Sequence, residues 1–382
     1  MDNNLRITRR GFGRQFRGGG VFALILALLL GCLPVAAPVR AEASAGLPTA
    51  TQAALAALLA ERAAAINAPG AVLAVERTGY APWVGVYGQA DLAGNLPMEP
   101  LSRLRIASLT KPYVAVVTLQ LVQEGWLLLD HSVEHWLPGL VPGGERIQVR
   151  HLLSHTSGLP EYMTGGFVGK VRREPERVYT PPELVAEALR YPRRFAPGAA
   201  GRWSYSNTNY ILLGLIIEAV TRNSLEHELQ QRILTPLGLR NTAMAPARAT
   251  GEGLARGYVR QNDYTELNMS FAWAAGGLTS TADDTLRFAN ALFAGRLLRP
   301  EYLALMRSYV AADRDGYGLG LMRSAFPGLG NGEGHTGGLA GYRSVVWHLP
   351  EHGSTIVVLV NRYESDPQKI AVPVAQLLSR LP

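Results

Sequence analysis

Ser108 and Lys111 are the residues of this chain best suited to chemistry, because a hydroxyl and an amine stand three positions apart. Residues i and i+3 share one face of a helix, so the Lys111 amine can reach the Ser108 hydroxyl. A serine oxygen needs such a base or cation to become a nucleophile at neutral pH. Pro112 suits a first helical turn, and the apolar run after it predicts a buried helix closed by Gly125. The sequence therefore predicts a serine nucleophile near a helix N-terminus, where developing negative charge is favoured.

The spacing of Ser108 and Lys111 carries little weight alone, because it can arise by chance and because serine is an ordinary helix cap. Two later segments, widely spaced and in a fixed order, add weight to the catalytic interpretation. They are Ser204-Tyr205-Ser206-Asn207 and His335-Thr336-Gly337-Gly338.

Taken in order, the three segments resemble the active-site motifs of the serine β-lactamase and penicillin-binding protein superfamily. Tyr-Ser-Asn as the second motif and His-Thr-Gly as the third resemble its class C β-lactamase branch, which includes exported D-alanyl-D-alanine carboxypeptidases and related esterases. The resemblance covers the chain from about Ala53 to Leu377. It extends to stretches for which we expect no catalytic role: His151–Pro160, Ile233–Gly238 and Ala275–Thr279.

The resemblance implies that Ser108 attacks a substrate carbonyl to form an acyl-enzyme, which water then cleaves, while Lys111 and Tyr205 handle the protons. A free tyrosine has a pKa near 10. We expect the cations Lys111 and His335 to lower the pKa of Tyr205 and so improve it as a base. The two-ended side chain of Asn207 would bond both the Lys111 amine and a substrate amide.

The same resemblance places His335, Thr336, Gly337 and Gly338 on a strand edge that lines the cleft. Thr336 would bind a substrate carboxylate, Gly337 would let the substrate backbone approach, and the oxyanion hole would use the N–H groups of Ser108 and Gly338. The β-lactamases of this branch usually carry lysine where His335 stands, so histidine favours a peptidase. Because imidazole titrates near neutral pH, we expect His335 to make activity depend on pH between about 6 and 8.

These residues predict a serine hydrolase, and more narrowly a D-alanyl-D-alanine carboxypeptidase that acts on peptidoglycan stem peptides and binds β-lactams. A class C-like β-lactamase and a small-ester carboxylesterase are alternatives on the same site, and they differ in how fast water cleaves the acyl-enzyme. A non-catalytic penicillin-binding sensor is the alternative of another class, and the three intact motifs argue against it. The resemblance implies no metal and no organic cofactor.

Three other polar features compete with these motifs. His155-Thr156-Ser157-Gly158 mimics the third motif but precedes the second, so we expect it to be structural. His131-Ser-Val-Glu-His135 fits a zinc pattern, yet it is confined to about two helical turns and no third ligand is evident. Arg323 and Arg343 lie near the third motif and are candidates for pairing with an anionic end of the substrate.

The first 43 residues predict an export signal that is not part of the fold. Thr8–Arg14 resembles a twin-arginine motif, the apolar run Val21–Leu30 is too short to span a bilayer, and Ala41-Glu-Ala43 has the form of a signal peptidase site. Cleavage there would leave a periplasmic or secreted protein with no stable membrane span. The alternative is a lipoprotein anchored through Cys32, the single cysteine of the chain, so neither form can contain an intrachain disulfide.

The charge of the chain is concentrated in the same segment. The net charge is +7, but the first 43 residues hold six arginines against two acidic residues, so only +3 remains on the predicted mature chain. That part of the sequence has no basic run and no basic patch interleaved with aromatic residues, which argues against nucleic acid as a partner. We expect a monomer that binds a small-molecule or peptide substrate.

Hydrophobic patterns predict an α/β (α+β) domain at residues 44–382, with both chain ends contributing to its sheet. We expect a helix at 51–65, strands at 71–75 and 83–87, a mainly helical region from 108 to about 261, a hairpin of 342–349 and 354–360, and a closing helix at 373–381. That order matches the β-lactamase/transpeptidase-like fold that the resemblance implies: an antiparallel sheet flanked by N- and C-terminal helices, with a helical region inserted. The sheet part would occupy about 50–106 and 275–382, and the helical part about 107–274.

Overall fold

A computed structural model of the chain describes residues 45–245, 253–312 and 315–381. The predicted export signal lies outside these residues, together with its cleavage site and Cys32. None of the described helices is long and apolar enough to cross a membrane.

The described residues form fourteen strands, nine of which belong to one antiparallel sheet. In chain order the strands are β1 (Gly70–Arg77), β2 (Trp83–Asp91), β3 (Leu96–Pro97), β4 (Leu104–Arg105), β5 (Ala243–Met244), β6 (Tyr258–Val259), β7 (Asn262–Asp263), β8 (Leu278–Ser280), β9 (Val310–Ala312), β10 (Asp315–Tyr317), β11 (Met322–Phe326), β12 (Gly330–Leu339), β13 (Tyr342–Leu349) and β14 (Ser354–Val360). The large sheet has the order β3-β2-β1-β14-β13-β12-β11-β10-β9, and a smaller sheet has the order β4-β8-β5.

Thirteen α-helices occur in the same described residues. They are α1 (Thr49–Ala65), α2 (Thr110–Gln123), α3 (Val133–Trp136), α4 (Val149–Leu153), α5 (Gly165–Arg173), α6 (Pro181–Leu189), α7 (Asn207–Thr221), α8 (Leu225–Leu229), α9 (Thr235–Leu237), α10 (Trp273–Gly276), α11 (Ala282–Phe293), α12 (Pro300–Met306) and α13 (Gln368–Leu378). Helices α2 to α10 lie between β4 and β8, so a mainly helical region is inserted between the two ends of the chain that build the sheet. The fold is therefore the mixed α/β arrangement that the sequence predicted.

The two ends of the chain meet in the middle of the large sheet. Strand β1 pairs with β14, with Ala71 opposite Val360, and the predicted hairpin of β13 and β14 is present. Asn361 follows β14, is fully buried, and accepts a hydrogen bond from the Gly70 N–H at 2.7 Å. Its amide also donates to the carbonyl oxygens of Gln89 and Arg256, at 3.1 and 3.0 Å, so one side chain ties three distant segments together.

Both faces of the sheet are covered, which explains why β1 is an unbroken apolar run rather than an alternating one. Successive strand residues point to opposite faces. Leu73 and Val75 belong to the core that contains α1 and α13, whereas Val72 and Ala74 belong to the core on the side of the helical region. Ala107 and Leu109, on either side of Ser108, belong to that second core.

Glycine closes α2 as the sequence predicted. The helix ends at Gln123, and Gly125 has a left-handed backbone with φ of +80°. The Gly125 N–H donates to the Val122 carbonyl and the Trp126 N–H donates to the Leu121 carbonyl, at 3.1 and 3.0 Å. This pair of bonds satisfies the last carbonyls of the helix.

The predicted start of the closing helix is wrong. Helix α13 begins at Gln368, so Pro373 lies inside it instead of at its beginning. Proline removes one helical hydrogen bond, which normally favours a helix start. Here Ile370 and Val374 are fully buried against the sheet, and this apolar burial outweighs the lost bond.

Candidate active site

Ser108 lies in the 3₁₀ turn directly before α2, and its side chain is partly exposed. Ala107 has a φ of +51°, a left-handed backbone that costs a non-glycine residue free energy. Neighbouring elements hold the turn in place: Thr110 Oγ1 donates to the Ala107 carbonyl at 2.8 Å, and Ser344 Oγ donates to the Ile106 carbonyl at 2.7 Å. Ser108 is therefore presented on a strained turn that its surroundings fix.

Gly337 packs against this turn, a contact that the sequence did not predict. A Cβ at Gly337 would lie 2.6 Å from the Ile106 carbonyl oxygen and 3.2 Å from the Ala107 Cβ. Glycine is required here so that β12 can approach the turn that carries Ser108. The next residue, Gly338, is exposed.

Lys111 is fully buried in the first turn of α2, and its amine has three acceptors within hydrogen-bonding distance. Nζ lies 3.0 Å from Ser108 Oγ, 2.8 Å from Asn207 Oδ1 and 2.6 Å from the Ala275 carbonyl oxygen. Ala275 belongs to a stretch for which the sequence predicted no catalytic role, so its carbonyl is an addition to the site. The amine also lies 4.9 Å from the ring centre of Tyr205.

Burial lowers the pKa of Lys111 to about 7, and the charge of Glu161 opposes part of the shift. An ammonium has three N–H groups, one for each of the three acceptors. A neutral amine has two, which Asn207 and Ala275 can accept, and one lone pair, which can then receive the proton of the Ser108 hydroxyl. Above neutral pH, Lys111 is placed to act as a base toward Ser108.

Asn207 begins α7 and is held by Glu161, a residue that the motifs did not reveal. Glu161 Oε2 accepts from the Asn207 N–H at 2.8 Å and from Asn207 Nδ2 at 2.9 Å, while Oε1 accepts from the Met163 N–H at 2.7 Å. These bonds orient Asn207 with Oδ1 toward Lys111, and Nδ2 keeps a second hydrogen for a substrate carbonyl. The position of Glu161, directly after the stretch 151–160, was the only signal for it in the sequence.

Tyr205 hydrogen-bonds with the Ser108 side chain, but the expected lowering of its pKa is wrong. Burial raises the pKa of Tyr205, and the hydrogen bond with Ser108 opposes only part of that effect. Of the two expected cations, His335 has a pKa of about 3 and is neutral, and Lys111, with a pKa of about 7, carries its charge on only about half of the molecules at pH 7. Tyr205 is therefore a protonated phenol that can donate a proton, and the basic role passes to Lys111.

His335 faces the interior and has no exposed surface, so the expectation that it lines the cleft is wrong. Its Nδ1 donates to the Thr336 carbonyl at 2.6 Å, which leaves Nε2 to accept from the Tyr317 hydroxyl at 3.0 Å. Burial, and then the charge of Lys111, lower the pKa of His335 to about 3. His335 is thus neutral at the pH where it was expected to titrate, and Tyr317 is a partner that the motifs did not reveal.

We expect His335→Gln to leave the pH midpoint of activity unchanged, because the group that titrates near neutral pH is Lys111. Glutamine can still accept from the Tyr317 hydroxyl and carries no titratable proton. Initial rates measured across neutral pH test this, with His227→Gln, at an exposed histidine, as the matched control. A midpoint that disappears in His335→Gln alone would assign the titration to His335.

Strand β12 has a free edge beyond Gly334 in the described residues, because its pairing with β11 ends where Met322 lies opposite Gly334. Thr336 and Gly338 lie on this free stretch. Thr336 is partly buried, with Oγ1 3.7 Å from Met322 Sδ. An extended substrate could pair with this edge through its backbone, as an added strand does.

The two arginine candidates contact aromatic rings. The Arg323 guanidinium lies 4.8 Å from the ring centre of Tyr309, and the Arg343 guanidinium lies 5.7 Å from that of Tyr363. Arg343 lies opposite Gly338 in the register of β12 and β13. Neither arginine has an acidic partner within the part of the chain that the structure describes, so both keep their charge available.

The other two histidine segments have different surroundings. The rings of His131 and His135 stack with centres 4.6 Å apart, and the described residues contain no group of three or more His, Cys, Asp or Glu side chains that could hold a metal. His155 is fully buried beside the site, with its ring centre 4.2 Å from that of Tyr205.

A hydroxyl poised beside a buried, weakly basic amine, within this fold, defines a serine hydrolase. The Beta-lactamase family model matches residues 55–379, and the chain belongs to the β-lactamase family.

Three similar proteins have names that state different ligands or activities. A penicillin-binding protein of Bacillus subtilis (strain 168) is 28% identical over 310 residues, which cover 75% of this chain and 66% of that protein, just under two thirds of its length. Esterase EstB of Burkholderia gladioli is 31% identical over 301 residues, 69% of this chain and 74% of the esterase. The crystal structure of a D-stereospecific amidohydrolase from Streptomyces sp. has a TM-score of 0.76 and 36% identity, over 84% of this chain and 96% of that one.

Proposed function

We propose that this protein hydrolyses peptides or amides of D-amino acids through an acyl-enzyme on Ser108. The observation that carries the reaction class is the Lys111 amine, fully buried and 3.0 Å from Ser108 Oγ. The likeness to the D-stereospecific amidohydrolase, at 36% identity over 84% of this chain, supports the substrate class.

In the first half of the proposed reaction, neutral Lys111 takes the Ser108 proton as Oγ bonds to the substrate carbonyl carbon. The carbonyl oxygen becomes an oxyanion, which the N–H groups of Ser108 and Gly338 would stabilise. The C–N bond then breaks, and the leaving nitrogen receives a proton from Tyr205. The Lys111 ammonium restores that proton to Tyr205, so the products are an amine and an ester on Ser108.

In the second half, water attacks the ester carbonyl carbon while neutral Lys111 takes a proton from the water. The bond to Ser108 Oγ breaks, and the serine oxygen recovers a proton from the Lys111 ammonium. The protein returns to its starting state and releases the carboxylic acid. The same two halves would serve a penicillin, an ester or an amide as substrate, because only the acyl and leaving groups change.

D-alanyl-D-alanine carboxypeptidase activity, the narrower function predicted from the sequence, is the second candidate. Its substrate ends in a carboxylate near the scissile bond, and such a group needs a cationic partner. His335 is buried and neutral, but Arg343 lies opposite Gly338 and has no acidic partner in the described residues, which favours this candidate. In the periplasmic or secreted location that residues 1–43 predict, peptidoglycan stem peptides would be within reach.

A cavity of about 280 Å³ beside Gly338 favours an acyl group with a large apolar side chain. Its walls are mainly apolar and include Met163, Val168, Val171, Leu267, Phe271 and Leu339. For scale, an engineered cavity of roughly 150 Å³ in another protein binds benzene. Because Gly338 would bind the oxyanion, the side chain of the acyl residue would project toward this cavity. An aromatic or branched D-residue fills it better than the methyl group of D-alanine.

The test compares kcat/KM for D-phenylalanine amide, L-phenylalanine amide and an acetylated D-Ala-D-Ala dipeptide, with Ser108→Ala as the blank. Preference for the D-amide over the L-amide is the expected result. Turnover of the dipeptide alone would replace the proposal with the carboxypeptidase. Failure of all three, with hydrolysis of a p-nitrophenyl ester, would replace it with an esterase.

We expect Val168→Phe to lower kcat/KM for D-phenylalanine amide by about tenfold and to leave D-alanine amide nearly unchanged. Val168 lines the cavity from α5 and is only partly buried, so the added ring occupies the cavity rather than the core. Val178→Phe is the matched control, because Val178 is exposed and lies outside the cavity lining. Equal losses for both amides would contradict the assignment of the cavity.

A further inference from the structure

We propose that His155 is the positioning residue for Tyr205, although its segment was expected to be purely structural. The inference rests on the proposed proton donation by Tyr205. His155 has no exposed surface that a substrate could touch, so any effect on the reaction passes through its neighbours. Its ring packs on Tyr205 with a distance of 4.2 Å between centres and an angle of 33° between planes.

His155 binds the chain on both sides of Tyr205. Its carbonyl oxygen accepts from the Ser204 N–H at 3.1 Å, and its Nδ1 accepts from the Ser206 N–H at 3.2 Å. The residues before and after Tyr205 are thus tied to one histidine, while the imidazole supports the phenol ring itself. A reacting group needs this kind of support, because small displacements of its hydroxyl cost rate.

The hydrogen bonds of His155 also define where its proton lies. A backbone N–H can only donate, so Nδ1 carries no proton, and Asn209 Nδ2 donates to the same nitrogen at 3.0 Å. Asn209 keeps this orientation because its Oδ1 accepts from Ser157 Oγ at 2.6 Å. The ring proton is therefore on Nε2, which is buried and has no hydrogen-bond partner among the described residues.

Two costs accompany this arrangement. A buried donor without a partner lowers stability, and so does the left-handed backbone of His155, with φ of +59°. Burial, followed by the charge of Lys111, holds the pKa of His155 well below its ordinary value. The imidazole consequently stays neutral while Lys111 titrates, so its Nδ1 continues to accept the hydrogen bond from the Ser206 N–H.

The experiment compares two substrates whose leaving groups differ in their need for a proton. An amide nitrogen must be protonated to leave, whereas p-nitrophenolate leaves without a proton, so only the amide depends on Tyr205. We expect His155→Phe to lower kcat for D-phenylalanine amide by about tenfold or more, with KM and the acylation burst of p-nitrophenyl acetate nearly unchanged. In a Tyr205→Phe background, His155→Phe should cause no further loss, because the hydroxyl that it positions is already absent.

A second variant and a control keep the outcome decisive. His155→Asn tolerates the left-handed backbone and offers Oδ1 in place of Nδ1, so it should lose less activity with the same dependence on leaving group. If His155→Phe does not fold, the same comparison of substrates is made with His155→Asn. His348→Phe removes a partly buried histidine, whose ring centre lies 4.5 Å from that of Phe293, and should leave both reactions unchanged.

Equal losses on both substrates, or full additivity with Tyr205→Phe, would overturn the positioning role while leaving the proposed function in place. A native protein that ignores D-phenylalanine amide but cleaves its ethyl ester would contradict the D-amide function alone. The single variants His155→Phe and Tyr205→Phe and the double variant would then be compared on that ethyl ester, whose leaving alkoxide also needs a proton. A native protein that cleaves none of these substrates would overturn both proposals.

Discussion

Ser108→Ala is expected to abolish the acyl-enzyme and to lower kcat by about 10⁴-fold or more, because the nucleophilic oxygen is removed. The variant should fold, since Lys111 keeps its hydrogen bonds to Asn207 and to the Ala275 carbonyl. The measurement is intact mass over time after the protein is mixed with a penicillin. Native protein should gain the mass of the drug, and Ser108→Ala should not.

The fate of the adduct separates the members of this family. A long-lived adduct on native protein indicates slow attack by water, as expected for a carboxypeptidase or amidase, and rapid drug loss without an adduct indicates a β-lactamase. Ser324→Ala is the matched control, because that hydroxyl lies on β11 and binds Asp315 instead of the site. An adduct that forms on Ser108→Ala would contradict the assignment of the nucleophile.

Lys111→Met is expected to lower kcat/KM by about 10² to 10⁴-fold and to remove the pH dependence near neutrality. Burial lowers the pKa of Lys111 to about 7, so the proton is lost and the base becomes available as pH rises. Native kcat/KM should therefore rise with pH up to about 7 and level off above it. Methionine fills a similar volume but has no lone pair that accepts a serine proton effectively. Rates of amide hydrolysis at a series of pH values test both statements.

Lys170→Met is the matched control for Lys111→Met. The Lys170 amine is partly exposed and pairs with Glu187 at 3.1 Å, away from Ser108. This variant should keep the native rate and the native pH profile. A native profile that falls as pH rises through neutrality, or a Lys111→Met protein that keeps the rise, would assign the base to another residue.

The sequence predicted best those features that neighbouring residues determine. The apolar run of β1, the hairpin of β13 and β14 and the glycine that closes α2 all depend on short-range patterns. The proximity of Ser108 and Lys111 is of the same kind, because helical spacing alone brings residues i and i+3 together. The family resemblance supplied the rest of the fold, including the pairing of the two chain ends.

Protonation states could not be read from the sequence, because they depend on burial by distant segments. Tyr205 was expected to be tuned by nearby charge and His335 to titrate near neutral pH, but burial dominates both and moves their pKa values away from neutrality. Glu161, Tyr317 and the Ala275 carbonyl were missed for a related reason. Each reaches the site from a segment whose local pattern is that of an ordinary loop, short strand or short helix.

Asn361 gives the pairing of the chain ends a consequence for biosynthesis. Its bond to Gly70 joins residues 291 positions apart, and contacts so distant along a chain form late and slowly. Strand β14 lies between β1 and β13, so the sheet has a gap at its centre until residues Ser354–Val360 have left the ribosome. Ser344, which supports the turn of Ser108, lies on β13 beside that gap. A nascent chain therefore carries every motif residue before it can hold the nucleophile in position, and hydrolytic competence arises only after β14 has been made and has joined the sheet.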